Sequence, residues 1–400
     1  MKKQMILIFL VVCFHYFYTL QECDGFSLED FEVLFRETQS TNGYEDTVPR
    51  VCKEDKAVVV IKNPSRPIYD KNIFVLEEEL ILGAKEGREE YMFTRIAGMD
   101  IDENRYIYIL DKKCANVRVF NSNGEFLRTI GAPGQGPGEM QSPQFIQLTH
   151  NQQVIVWDPL TFRFLFFALD GKYIKQISSS RMSYPLHPFK FDSKGSLIAL
   201  LIPPPPVGGI ELAKFNSNLE LMMRISKQEK DESYLKQEFK MITPSLLCAV
   251  SKNDCVVWGD SKEYILYIMN PQGRLTKKIT RNSKPIKITK KDKEKLLEKF
   301  QRLSVKKLGF KPVFPKYYPS FHDLSIDWEG RIFVKTYEKF DDNDGLYFYD
   351  VFDSEGRYIA KVPIKEGLLG LFWGESELYT VNEDKEGFEM IKRFKVYWRY

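Results

Sequence analysis

Histidine is scarce in this chain, with four in 400 residues, and cysteine little commoner, with six. No two cysteines form a Cys-x-x-Cys pair or another metal-ligand spacing, so a zinc ribbon or a thioredoxin-like redox pair is excluded by ligand supply. A charge of one sign is also lacking. Fifty-eight Lys and Arg oppose 55 Asp and Glu for a net charge of +3, part of it from Lys2 and Lys3. No basic stripe stands out, and nucleic acid is not an expected partner. Beyond the first twenty residues no apolar run is long enough to span a bilayer. Gly-x-Ser-x-Gly, His-Glu-x-x-His and a paired-carboxylate arrangement are missing too.

Two stretches imitate ligand motifs and fail on inspection. Gly134-QGPGE has the glycines of a phosphate cradle but lacks the Lys-Ser/Thr of a P-loop. It joins strand to strand, so no helix dipole would face an anion, and its glycines are read as permitting a tight crossing. Asp341-DNDG resembles the start of a calcium loop, but the twelfth position is Phe352 rather than Glu. An EF-hand is thereby excluded and a polar hairpin loop is the reading.

What the chain has in quantity is a repeat. Phe120-NSNG-EFLRTI, Phe167-ALDG-KYIKQI, Phe215-NSNL-ELMMRI, Met269-NPQG-RLTKKI and Phe352-DSEG-RYIAKV each place an apolar residue, a polar turn and an alternating strand in the same order. Gly at the fourth position, replaced once by Leu219, supplies positive φ at no steric cost, and Asn or Asp supports the turn. Period-two alternation marks a strand with one buried face. About twenty residues upstream of each turn stands a second hairpin, as in Asp100-IDENRYIYIL, Gln147-LTHNQQVIVW, Lys190-FDSKGSLIAL, Ala249-VSKNDCVVWG and Ser325-IDWEGRIFVK. Four strands at a spacing of roughly 45–50 residues describe propeller blades, with a coincidentally spaced β-sandwich as the alternative. A sixth blade must combine the two ends: Leu368-GLFWG, Leu378-YTVNED and Glu389-MIKRFKVYW give three strands, and Phe74-VLEEELILG gives the fourth. Ala57-VVVIKN is a further strand candidate in the same N-terminal segment. Closing the ring from both termini removes exposed sheet edges. The fold class is therefore all-β, a six-bladed propeller over residues 57–400. The 30 Phe and 21 Tyr suit packing between blades.

Residues 1–22, Met1-KK followed by Met5-ILIFLVVCFHYFYTL, form a basic and then an apolar region of signal-peptide length. Export is expected, to the periplasm or cell surface. Cleavage, lipidation at Cys13 and retention as an uncleaved anchor all remain open. Residues 23–56 are a lead-in. Two inserts, near 227–243 and 289–304, read as helices at blade crossings. In the second, Thr289 is the N-cap, Asp292 occupies the capping-box position, and Leu296, Leu297, Phe300 and Leu303 share one face. Ile202-PPPPVGG is read as a stiff polyproline loop. Cys248 and Cys255 lie diagonally across one hairpin, at the edge of disulfide reach, and are read as isolated thiols.

The start of each blade's first strand pools Ala97, Gln144, His187, Leu246, His322 and Leu368. Two of the four histidines fall at this one position. Imidazoles on a ring could hold a metal or act as acid and base. A metal site wants at least three ligands, however, and only Gln144 joins them. His187, His322 and Gln144 are therefore binding candidates at the channel mouth. No catalytic residue, resident metal or cofactor is assigned.

Ile130-GAPGQGPGEMQSPQFI, with Asp102-ENRYIYILD before it and Phe120-NSNGEFL between, resembles the NHL-like six-bladed propellers of exported bacterial proteins, over roughly residues 55–398. The resemblance implies a signal or lipoprotein sequence ahead of one propeller, mostly without an assigned activity. Arg105 and Tyr106 depart from that group's Gly-Asn style of turn, and Val12 departs from its lipobox. Related propellers include metal-dependent lyases and lactonases with several channel ligands; here only His187 and His322 correspond, so that activity is not carried over. The expectation is an exported, membrane-attached monomer that binds a protein, peptide or glycan. A channel-centred metal-dependent lyase or hydrolase is the alternative.

Overall fold

A computed structural model describes residues 58–69, 73–180, 184–202, 209–229, 236–302, 309–339, 345–365 and 367–400. The leader, the lead-in up to residue 57, the Pro203–Gly208 run and the Asp341–Asp344 loop lie outside them. Six antiparallel sheets follow one another along the chain, each a meander in which consecutive strands pair. The first blade is Ile96–Ile101, Ile107–Asp111, Asn116–Phe120 and Phe126–Ile130. The second runs from Phe145 to Ser178, the third from Tyr184 to Gln228, the fourth from Leu246 to Arg281 and the fifth from Asp323 to Lys365. The sixth takes Phe372–Trp373, Glu377–Glu383 and Glu389–Trp398 from the C-terminal end and Phe74–Leu82 from the N-terminal end. The predicted closure of the ring is what the structure shows.

Apolar clusters fill the space between neighbouring blades all the way round. Val119, Ile130, Val154 and Phe167 join the first two blades. Phe164, Phe189, Leu200 and Trp258 join the second, third and fourth. Leu266, Phe321 and Phe352 join the fourth and fifth, Phe333, Tyr349 and Leu378 the fifth and sixth, and Phe120, Tyr379 and Ile391 the sixth and first. Strands in the middle of a blade are buried on both faces, which is why Ile107–Asp111 and Leu197–Ile202 read as continuous apolar runs rather than alternating ones.

The turns follow from the sequence. Asn121 Oδ1 accepts from the backbone N–H groups of Asn123 and Glu125, and Asn216, Asn270 and Asp353 repeat the arrangement. Gly124, Gly171, Gly273 and Gly356 all have positive φ, and Leu219 takes φ 63° at the same place. The turn is thus fixed by the whole repeat and survives the loss of its glycine. The Gly-rich crossing from the first to the second blade is a compact structure of its own. Ala132–Pro133 pairs parallel with Glu139–Met140, and a Cβ on Gly131 would stand 2.3 Å from Met140 Cε.

Two segments take places that the local pattern does not reveal. Val59–Asn63 is a strand, but it serves the fourth blade, running parallel to Lys277–Arg281 as a fifth strand. From there the chain continues round the outside. Ile68 and Tyr69 donate to the carbonyls of Tyr358 and Ile359 on the outer strand of the fifth blade, and Phe74–Leu82 then completes the sixth. One N-terminal segment therefore covers the outer edges of three consecutive blades, a protection of edge strands that local pattern does not reveal. Of the insert at 227–243, residues 230–235, where the helix is expected to centre, lie outside the described residues, and strands flank them. Lys227 and Gln228 extend an outer strand opposite Glu211 and Ile210, and Glu238–Lys240 pairs with Lys311–Val313. Ladder pairing and the burial of Phe239 hold Glu238–Lys240 extended. The second insert is the helix Lys290–Arg302. Thr289 and Asp292 form the predicted reciprocal cap, with Asp292 N–H donating to Thr289 Oγ1 at 3.2 Å and Thr289 N–H to Asp292 Oδ2 at 2.9 Å. Phe300 packs on Phe239 with ring centroids 5.6 Å apart, so the two inserts meet. Leu303 lies outside the described residues. Cys248 and Cys255 are both free thiols.

Candidate functional site

In a four-stranded meander the first and third turns share one face of the ring, while the second turns and the blade-to-blade crossings share the other. The first strands of neighbouring blades stand side by side around the axis. The last-but-one residues of these strands, Asp100, Gln147, Lys190, Ala249 and Ser325, are equivalent by their pairing with Tyr108, Ile155, Ile198, Val257 and Phe333. The polar members tie each blade to the next. Asp100 Oδ2 accepts from Leu148 N–H at 2.7 Å, and Gln147 both donates to the carbonyl and accepts from the N–H of Phe191 at 2.8 Å. Lys190 Nζ donates to the Val250 carbonyl at 3.4 Å, and Trp373 Nε1 donates to Ser325 Oγ at 3.2 Å.

Asp100 and Lys190 retain some exposure along the axis, yet enclosure governs both. Burial pushes the Asp100 carboxyl above its ordinary range, partly offset by the N–H groups of Leu148 and Ile101 and by the Lys190 charge. Burial pulls the Lys190 ammonium below its ordinary value, with Asp100 and Asp254 acting the other way. These central residues are a missed element of the site. Writing the repeats in register would have found them, since Asp100, Gln147 and Lys190 head the three aligned hairpin segments.

A cavity of about 210 Å³ opens on the hairpin-turn face, assembled from the first turns of four blades. The first blade contributes Ile101, Asp102, Glu103 and Arg105; the fourth contributes Lys252; the fifth contributes Trp328; the sixth contributes Gly374, Glu375 and Glu377. Asp102 is held by its own turn, accepting from the N–H groups of Asn104 and Tyr106, and Tyr108 Oη donates to it at 3.3 Å. Glu377, almost wholly buried, is ion-paired with Arg105. Arg105 takes φ 63° at the turn position held by Gly195 and Gly330 in the third and fifth blades and by Gln152 and Asp254 in the second and fourth, and its guanidinium lies against Glu377. Lys252 Nζ lies 3.4 Å from the centroid of the Trp328 ring. Glu103 and Glu375 stand exposed at the rim.

The sequence-derived candidates belong to the other face. Gln144 precedes the second blade, its N–H donating to the Trp157 carbonyl. His322 precedes the fifth, its N–H donating to the Lys335 carbonyl and its ring edge-on to Tyr337 at 5.2 Å. His187 lies in the first strand of the third blade, inside the irregularity between Leu186 and Phe189, and its side chain is outside the described residues. Lysine and tryptophan in different hairpins carry no shared sequence signal, so the turn-face cavity was not visible beforehand. Among the described residues no group of three His, Cys, Asp or Glu is placed to hold a metal ion.

The architecture is that of a six-bladed β-propeller. Residues 86–191 match the model of a family described as DUF5128, 6-bladed beta-propeller. No curated protein matches the chain. Among solved structures it is similar to a Bacteroides fragilis protein assigned as exported, with a TM-score of 0.54 at 12% identity over 84% of this chain and 99% of that one. It is similar also to a member of the duf4221 family from Bacteroides vulgatus, with a TM-score of 0.51 at 12% identity over 82% of this chain and 99% of that one. A gluconolactonase of Xanthomonas campestris superposes less closely, with a TM-score of 0.42 at 11% identity over 76% of this chain and 87% of that one. Likeness at these identities speaks for the fold and not for an activity.

Proposed function

We propose that this chain is an exported, membrane-attached recognition module that binds a ligand or partner protein at the hairpin-turn mouth of its central channel. The carrying observation is the cavity itself. Turns from four blades converge on one concave space holding an aromatic face, four carboxylates and two cations, the mixture of an apolar surface and a few placed polar groups that suits ligand sites. The Met5–Leu20 segment supplies export and attachment, through an uncleaved anchor or a lipid on Cys13. The likeness to a propeller assigned as exported supports this reading. No described helix is long and apolar enough to cross a membrane.

The test is a binding screen of peptides, glycans and small metabolites against residues 58–400, a stretch that contains every described strand of the closed ring. Glu103→Ala, Trp328→Ala and Glu375→Ala are compared with Gln144→Ala and His322→Ala on the opposite face. Binding lost in the first group and retained in the second supports the reading; binding indifferent to the first group overturns it. Fractionation of cells expressing the intact chain and Cys13→Ala checks attachment: recovery of the intact chain in the cytosol would refute export.

A further inference from the structure

Resting on that reading, we infer that the turn-face cavity recognises an alkylammonium group, and that Lys252 is its resident stand-in. Within the cavity the Lys252 ammonium already occupies the face of Trp328, at 3.4 Å from the ring centroid. An ammonium over an indole face is held by the ring quadrupole, and best where little water competes. The two partners come from hairpins of different blades, so the contact is made by the tertiary fold and not by a local turn. Carboxylates outnumber cations in the lining by four to two. Arg105 is committed to Glu377, which leaves Lys252 as the cation that can leave the indole without stranding a buried charge. When it does, Trp328 offers a free aromatic face in a cavity also lined by the exposed carboxylates Glu103 and Glu375. That vacancy has the charge and shape of the group it released: one ammonium on an unbranched alkyl stem.

Such a group can arrive as a free amine or as the lysine side chain of a protein partner. The chemistry is the same, and only the test separates the two sources. The lysine competes as an intramolecular ligand, so the apparent affinity for any incoming amine is lowered by the fraction of molecules in which Lys252 is away.

The experiment titrates residues 58–400 with 1,5-diaminopentane and with a Gly-Lys-Gly peptide, with butanol and acetate as uncharged and anionic controls. Binding is followed by calorimetry in every variant, and by the part of the tryptophan fluorescence change that Trp328→Leu abolishes. Lys252→Met is expected to tighten amine binding about tenfold, because it removes a competitor that holds the indole most of the time. Trp328→Leu in the Lys252→Met background is expected to weaken it roughly tenfold. Raising salt is expected to weaken it further, since Glu103 and Glu375 are solvent-exposed. Tighter binding of diaminopentane than of the peptide identifies a free amine as the ligand form, and the reverse order identifies a lysine side chain; either order supports the inference. Weaker or unchanged amine binding in Lys252→Met, or preference for acetate, overturns it. Lys252→Gln serves as a second variant should the methionine form fold poorly. If amines fail while the turn-face alanine variants still abolish binding of another ligand, the inference falls and the binding reading stands.

Discussion

Replacing Asp350 should destabilise the propeller more than any surface change, because this one carboxylate holds together the fourth and fifth blades. It is fully buried on the third strand of the fifth blade. Tyr264 Oη and Tyr358 Oη each donate to it at 2.7 Å, Arg281 Nη1 donates at 2.8 Å, and Lys361 Nζ lies 3.5 Å away. Arg281 ends the fourth strand of the fourth blade, and its guanidinium stacks over Tyr358 at 4.5 Å and reaches the Ser65 carbonyl of the N-terminal segment. Asp350→Ala leaves a nearly buried guanidinium without its counter-charge, which costs about 3–5 kcal/mol. It also orphans two phenol hydroxyls at about 1–3 kcal/mol each, and since these losses overlap, about 4–5 kcal/mol is expected in total. Asp350→Asn, which keeps an acceptor and loses the charge, should cost about half as much. Urea unfolding followed by tryptophan fluorescence and far-UV circular dichroism, with coincident transitions, gives the values. Combining Asp350→Ala with Arg281→Met should recover about 2 kcal/mol, since the stranded charge is gone. A loss under about 1 kcal/mol for Asp350→Ala, or no coupling in the double-mutant cycle, would refute the reasoning.

Three further outcomes follow from the same structure. Gly131→Ala places a Cβ 2.3 Å from Met140 Cε at φ +73°, and should cost roughly 1–3 kcal/mol by urea midpoint, with the methionine yielding in part. Gln152→Gly relieves an exposed non-glycine residue at φ 54°, and should raise stability by about 0.5 kcal/mol, the small balance of left-handed strain against added chain entropy. Burial holds Tyr108 up to about 12 and raises Tyr264, Tyr358 and Tyr379 as well. The unfolded chain releases these protons first, so their contribution is complete below pH 10 and declines as pH rises above it. Thermal scans from pH 8 to 11.5 should show the melting temperature falling above pH 10, and less steeply in Tyr264→Phe.

Much of the architecture was legible because it is local and repeated. Asn121, Asn216, Asn270 and Asp353 each form their turn with neighbours two and four residues away, so five aligned segments announce five hairpins. The Thr289–Asp292 cap is equally local, spanning three residues. The strand pairing at the two ends of the 227–243 insert was not legible, for the opposite reason. Its ends are claimed by partners far along the chain, Glu211 on one side and Lys311 on the other, and such pairing leaves no periodic mark.

By itself the sequence determined the blade count, the closure by Phe74–Leu82, the compact crossing around Gly131 and the cap of the one described helix. Each follows from backbone preferences and alternation within a few residues, repeated often enough to be read. Tertiary structure alone decided where chemistry gathers. Lys252, Trp328, Arg105 and Glu377 stand in four separate hairpins, and Asp350 meets Tyr264 across 86 positions of sequence. They meet because a closed ring brings equivalent turns of distant blades to a common axis and presses neighbouring blades together. The docking of Val59–Asn63 on the fourth blade and of Ile68 and Tyr69 on the fifth was decided there too, since an outer sheet edge accepts any extended segment whose amides reach it, and the ring's geometry chooses which.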